Sequence, residues 1–243
     1  MSTCAPDTVM VFAAGLGTRM RPVTDAMPKS MIPVAGKPLI DHMLDRFAEA
    51  GTARAVVNVH YLADQIETHL RARKNPEIIL SDERAALLDQ GGGIMKAMPH
   101  LSSGPFYICN TDALWIERRG SQPALTRFAA QWDPAEMDIL LLVAQTATSV
   151  GVDWPGDFTA DGSGRLAKRA EGASAPYVYA GVGIMKPELF AREKRPVFRL
   201  APYFFDAAER GRLYGHALDG IWLHVGTPEA IKEAETAIAR RRP

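Results

Sequence analysis

Five consecutive apolar positions, Val9-Met10-Val11-Phe12-Ala13, run up to Gly15 and predict a strand buried on both faces. Leu39, Ile40, Met43, Leu44 and Phe47 then recur at spacings of three and four, which predicts a helix that stops at Gly51. Residues 55–59 predict a second strand, and Leu62, Ile66 and Leu70 mark one stripe of a second helix. Residues 78–80 and 106–109 predict strands three and four, with a short helix over about 93–98 between them. Strands alternating with helices imply right-handed crossovers and a mostly parallel, doubly wound α/β sheet covered on both faces. Past residue 120 the rhythm changes. A helix near 124–131 leads to a strand at 139–143, and turns and short strands fill the Gly-, Asp- and Pro-rich stretch 151–164. A glycine-bearing strand is predicted at 177–185, with further strands at 213–217 and 221–225. Thr227-Pro228-Glu229 opens a final helix, with threonine as N-cap and proline at N1.

The pattern describes one domain spanning 1–243. Twenty-eight Lys plus Arg balance twenty-eight Asp plus Glu, so the excess positive charge expected of a nucleic-acid or membrane-surface binder is missing. Cys4 and Cys109 have neither metal-ligand spacing nor disulfide density, which suits a reducing cytoplasm. The N-terminus carries no basic-then-apolar leader, and the densest apolar run, 139–144, is too short to span a bilayer. The arginines at 240–242 read as a solvated helix end.

The most informative segment is the long polar connection after the first strand, Ala14-Gly15-Leu16-Gly17-Thr18-Arg19-Met20-Arg21-Pro22, continuing to Pro28-Lys29. Loops this long inside a β-α unit are usually functional. Gly15 and Gly17 allow consecutive N–H groups to face one anion. Arg19 adds a planar, doubly donating cation and Lys29 a compact one. Together they suggest a polyphosphate site at the carboxyl end of the strand. On these residues alone, a tight structural turn with exposed basic side chains accounts for the segment equally well. The dinucleotide fingerprint fails because Met20 stands where glycine is needed, and the P-loop fails because Gly36-Lys37 is followed by Pro38.

The string extends further. Ala13-Ala14-Gly15-Leu16-Gly17-Thr18-Arg19-Met20-Arg21-Pro22, Pro28-Lys29-Ser30-Met31-Ile32-Pro33-Val34 and Gly36-Lys37-Pro38-Leu39-Ile40 resemble the signature of sugar-1-phosphate nucleotidyltransferases. The likeness continues at Asp89-Gln90-Gly91-Gly92-Gly93-Ile94, Asn110-Thr111-Asp112, Tyr179-Ala180-Gly181 and Trp222-Leu223-His224-Val225-Gly226-Thr227-Pro228-Glu229. The glycine triplet and short length are most similar to the bacterial N-acetylmuramate 1-phosphate uridylyltransferases of cell-wall recycling. The resemblance implies a Rossmann-like, GT-A-like sheet, with 1–120 as the nucleotide half and 121–243 as the sugar half. It implies cytoplasmic transfer of a nucleotidyl group from UTP to a sugar 1-phosphate, with pyrophosphate leaving.

The resemblance also assigns roles. Ala14, Gly15, Gly17, Thr18 and Arg19 hold the triphosphate, and Lys29 steadies charge at the α-phosphorus. Gln90 and the triplet Gly91, Gly92 and Gly93 sit beside the base, where backbone groups read uracil edges and only glycine leaves room; a flexible helix start is the plainer reading. Gln90 stands where close relatives often carry threonine. Asp112 would hold Mg²⁺, although a lone aspartate after a strand is commonly a cap or turn former. His224 occupies the position of the family's second metal-binding aspartate. It is a metal ligand favouring Mn²⁺ or Co²⁺, a phosphate hydrogen-bond donor, or the mark of a weakened site. Asp219 could supply a nearby carboxylate or simply shape a turn. Asn110, Tyr179 and Gly181 are implied on the sugar side, and Glu171, Lys168 and Arg169 either meet the sugar or form a solvated hairpin. The expected partners are a nucleoside triphosphate and a sugar 1-phosphate, with no nucleic acid or membrane, in a monomer or small homo-oligomer. The alternatives are guanylyl or thymidylyl transfer to mannose or glucose 1-phosphate, and a non-catalytic nucleotide-sugar sensor.

Overall fold

The apolar run that opens the sequence forms β1 (Thr8–Phe12), in which Val9, Met10 and Val11 have no solvent exposure. This and the other elements come from a computed structural model that describes residues 5–240; Cys4, Arg241 and Arg242 lie outside the described residues. The chain continues through the small hairpin β2 (Pro33–Val34) and β3 (Lys37–Pro38), then α1 (Leu39–Glu49), β4 (Arg54–Val59), α2 (Ala63–Leu70) and β5 (Glu77–Asp82). Next come α3 (Asp89–Ala97), β6 (Phe106–Asn110), β7 (Ala113–Glu117), α4 (Ala124–Ala130) and β8 (Ile139–Gln145). The second half adds β9 (Phe158–Ala160), β10 (Leu166–Lys168), β11 (Tyr177–Met185), α5 (Ala201–Glu209), β12 (Leu213–Ala217), β13 (Gly220–His224) and α6 (Pro228–Ala239).

The main sheet runs β10-β9-β11-β6-β1-β4-β5, with β8 joined to β11 and β12 to β8. β1, β4, β5 and β6 are parallel; β11 enters antiparallel to β6 and β8 and bulges between Tyr179 and Gly183. Strand residues alternate between the two faces. Val9 and Val11 join Ile40, Met43, Leu44 and Phe47 of α1 on one side, whereas Met10 joins Ile94 and Ala97 of α3 on the other. The continuous apolar runs therefore reflect a sheet covered twice. Gly51, at φ 84°, ends α1, and the Thr227 hydroxyl accepts from the Ala230 N–H at the start of α6.

Several features depart from the expected layout. α3 begins at Asp89 rather than near Gly93: Asp89 turns the chain at φ 60° and its carboxylate accepts from the Gln90 N–H. The glycine triplet therefore lies inside the helix's first turns. β7 and α5 were not anticipated; β7 pairs antiparallel with β13 in a separate two-stranded sheet. No helix among the described residues is long and apolar enough to cross a membrane.

Candidate active site

Strand register places Phe12, Asn58 and Asn110 level at the carboxyl ends of β1, β4 and β6. The chain leaves β1 for β4 on one side and returns to β6 on the other, so a crevice opens between the diverging connections. It holds a cleft of about 580 Å³, a size that admits a nucleotide-scale ligand. Ala14, Gly15, Gly17, Thr18, Arg19, Lys29, Gln90, Asn110 and Asp112 all line it. Asn58 fixes how the loop departs: its buried Oδ1 accepts from the N–H groups of Ala13 (2.7 Å) and Ala14 (3.2 Å).

The two glycines of that loop behave differently. Gly17 sits at φ 63° with Thr24 packed over it, and a Cβ there would lie 2.8 Å from Thr24 Cγ2. Thr24 donates from its hydroxyl to the Gly17 carbonyl, and the Tyr61 hydroxyl donates to the Thr24 carbonyl, so this bend is locked by protein. A Cβ on Gly15 would meet nothing within 4 Å. The fold does not require glycine there, and the space above it belongs to the cleft. Arg19 is exposed and has no ion-pair partner among the described residues.

Lys29 pairs with Asp112, Nζ to Oδ2, at 2.5 Å, with 18% and 17% of the two side chains exposed. Burial alone would raise the Asp112 pKa, but the Lys29 ammonium, the nearby His224 and the Lys29 hydrogen bond outweigh it and hold the carboxyl below the usual range. His224 reaches this neighbourhood because β13 pairs with β7 so that His224 stands opposite Ala113, the residue after Asp112. Its ring packs against Trp154 and Trp222, each 5.3 Å away between centroids. Burial lowers its pKa, Asp112 pulls upward, and Lys29 and Arg19 push down again, so the imidazole is neutral at pH 7. Asp219 forms the turn between β12 and β13 and binds Arg127 at 3.3 Å, a structural role. Among the described residues no three His, Cys, Asp or Glu side chains converge into a metal cage.

The opposite wall corrects one expectation. The room left by Gly91, Gly92 and Gly93 is occupied by protein. A Cβ on Gly91 would fall 2.2 Å from the Phe198 ring, one on Gly92 would fall 2.3 Å from the Pro196 carbonyl oxygen, and one on Gly93 would fall 2.9 Å from Asn58 and Glu83. The Gly91 N–H donates to the Phe198 carbonyl (3.0 Å). From this segment only Asp89 and Gln90 face the cleft.

Sequence reasoning missed Asn58 and Glu83. Both are buried, and Asn58 Nδ2 donates to Glu83 Oε1 at 2.8 Å. Glu83 lines the cleft, and its other oxygen, Oε2, is buried without a partner. Burial pushes the Glu83 carboxyl above its ordinary range despite the Asn58 hydrogen bond. The signal for Asn58 was present, a lone amide inside the apolar run Ala55-Val56-Val57-Asn58-Val59.

Gln90 donates to Asn110 Oδ1 (2.9 Å), and both residues also line a second hollow of about 310 Å³. That hollow is walled by Asp157, Lys168, Arg169, Tyr179, Phe204 and Phe205 among others. Gly181, at φ 81°, is packed against Asn110 and Ala113 rather than open to it. Glu171 is exposed and lies in neither hollow.

Known proteins agree with this architecture. Residues 9–211 match the MobA-like NTP transferase domain. The chain is 47% identical to the N-acetylmuramate alpha-1-phosphate uridylyltransferase of Caulobacter vibrioides, over 97% of this chain and 98% of that protein. It is 34% identical to the protein of the same name from Neisseria meningitidis serogroup B, over 93% and 96%. An apo UDP-glucose pyrophosphorylase crystal structure superposes with a TM-score of 0.77, covering 98% of this chain and all of that one at 18% identity, which establishes the shared fold. The chain belongs to the MobA-like NTP transferase family.

Proposed function

We propose that the chain joins UTP to N-acetylmuramate 1-phosphate: a phosphate oxygen of the sugar attacks the α-phosphorus, the α–β bridging bond breaks, and pyrophosphate leaves with the UDP-sugar formed. The observation that carries this reading is the meeting of two hollows at the Gln90–Asn110 pair, one lined by phosphate-binding chemistry and the other by a ring-sized mixed wall. Such a pair of hollows holds two substrates end to end. The names of the two bacterial relatives support the choice of substrates, and the product suits the cell-wall recycling that the resemblance implies.

The chain's own residues position and neutralise. The open Gly15 lets backbone N–H groups approach phosphate closely, and Arg19 offers a two-pronged donor. Lys29 lies beside Asp112, where it steadies charge growing at the α-phosphorus. An ionised sugar phosphate needs no general base, so orientation and electrostatics supply the rate. Glu83 lines the cleft, and a carboxylate acceptor there suits a base with a ring N–H on its pairing edge, as uracil, thymine and guanine have, whereas cytosine and adenine present acceptors at that ring position.

The residues fit a divalent cation that arrives with the triphosphate. Mg²⁺ is commonly held by one or two carboxylates plus substrate phosphates, and Asp112 supplies a depressed-pKa carboxylate with neutral His224 beside it. When bound, the cation withdraws charge from the phosphate oxygens. Because imidazole suits softer ions, Mn²⁺ or Co²⁺ should support turnover at least as well as Mg²⁺, and His224→Asp should restore Mg²⁺ preference. Pyrophosphate release measured across the four nucleoside triphosphates, with Mg²⁺ and then Mn²⁺, tests the whole reading. UTP should lead under either metal. Nucleotide binding without pyrophosphate under both would make the chain a sensor and overturn the proposal.

A further inference from the structure

The second hollow holds more positive charge than a neutral sugar requires. Its lining cations are Lys168 and Arg169 and its one carboxylate is Asp157. Asp157 is fully engaged: Oδ1 accepts from the Trp154 indole N–H (3.0 Å) and Oδ2 from the Tyr179 N–H (2.9 Å). Arg169 is engaged as well, donating to the carbonyls of Gly156 (2.9 Å), Ala173 (2.8 Å) and Ala170 (3.3 Å), which ties the β9–β10 hairpin to its neighbours. Lys168 differs. It ends β10, is exposed, makes no ion pair among the described residues, and holds its ammonium 4.3 Å from the centroid of the Phe205 ring. That contact fixes the side chain over the hollow without neutralising it.

The sugar's 1-phosphate already has cations of its own, since Arg19 and Lys29 line only the first cleft and Lys168 lines only the second. A free, ring-anchored ammonium on the sugar side therefore matches a second negative charge on the sugar itself. We infer that Lys168 is a specificity-determining residue that recognises a carboxylate substituent of the sugar 1-phosphate, such as the lactyl ether acid of N-acetylmuramate. This assignment rests on the transferase reading above. It explains why the hollow combines an aromatic wall, Tyr179, Phe204 and Phe205, with one uncommitted charge.

Lys168→Met tests it, because methionine keeps the apolar stem against Phe205 and removes only the charge. Pyrophosphate release from UTP would be measured with N-acetylmuramate 1-phosphate, its carboxyl methyl ester, and N-acetylglucosamine 1-phosphate. The wild-type chain should favour the free acid over the ester by about tenfold in kcat/KM, carried mainly by KM. Lys168→Met should erase that preference while leaving the N-acetylglucosamine substrate within about twofold, and Lys168→Arg should retain it. Equal losses on all three substrates would place Lys168 on the 1-phosphate or in the hollow's framework, and unchanged preference would remove it from recognition; either overturns the assignment alone. No pyrophosphate from any sugar with the wild-type chain would overturn the transferase reading, and the assignment with it.

Discussion

Two glycine-rich segments border the same cleft, one at Gly15 and the other through Asp89 and Gln90, and they are glycine-rich for opposite reasons. Around Gly15 the missing side chain leaves empty space that opens into the cleft. Around Gly91 and Gly92 it leaves space that residues 196–198 fill with a ring and a carbonyl. One segment opens onto the cleft and the other is packed by the protein's own chain, although both are rich in glycine. Gly17 stands between the two cases: it borders the cleft, yet its positive φ and the overlying Thr24 already demand glycine without any ligand. A glycine's meaning therefore comes from what its absent Cβ would touch.

Substitutions on the two walls should separate along the same line. The largest effect belongs to the ligand-facing wall: Asp112→Asn should lower kcat by about 10²–10³-fold, since it removes the charge that pairs with Lys29. Because the depressed Asp112 pKa stabilises the fold at pH 7 and the change leaves the Lys29 ammonium unpaired, its melting temperature should fall as well, and steady-state kinetics beside a thermal melt would show both. On the protein-facing wall, Gly91→Ala should cost about 1–3 kcal/mol of stability because the new methyl meets the Phe198 ring and backbone oxygen. Should that variant melt like the wild type while losing affinity for UTP, the triplet would border nucleotide after all and the contrast would fail. Gly17→Ala should destabilise by about 1–2 kcal/mol through its left-handed backbone. Gly15→Ala should leave the melt within about 0.5 kcal/mol yet raise KM for UTP about tenfold, a split that isothermal titration with UTP can confirm.

The same physics explains what was readable in the sequence. β1, β4 and β6 were legible because doubly covered parallel strands are written as unbroken apolar runs. The segment from Gly15 to Lys29 was legible because glycine, arginine and lysine carry their chemistry in their composition. β7 was hidden: Ala113-Leu114-Trp115-Ile116-Glu117 follows β6 after only the two residues Thr111-Asp112, a turn with no glycine or proline to punctuate it. α5 was hidden by Pro202 and three aromatic residues, which blur helical periodicity. Asn58 and Glu83 owe their roles to register between β1, β4 and the end of β5, a long-range fact that local pattern does not carry. Glu171 shows the converse error. It lies close in sequence to Lys168 and Arg169, but the turn after β10 carries it out to solvent.

Glu83 gives the most diagnostic effect. An acid whose folded pKa is raised destabilises the fold progressively as pH climbs from its ordinary value of 4.5 through the raised one, because the folded state then holds a charge that burial disfavours. Glu83→Gln keeps the oxygen that accepts from Asn58 and removes that charge. The variant and the wild type should therefore melt together below pH 4.5, and the variant should gain by about 1 kcal/mol once pH exceeds the raised value. Glu83 lines the cleft, and the same change puts an amide where the carboxylate stood, so discrimination of UTP over CTP should fall by about tenfold. A rise in stability coupled to a loss of base selectivity would show that this wall gives up stability at a single carboxylate for recognition. If the two melting curves kept a constant offset at every pH, Glu83 would be a packing residue, and the base would be read from the other wall.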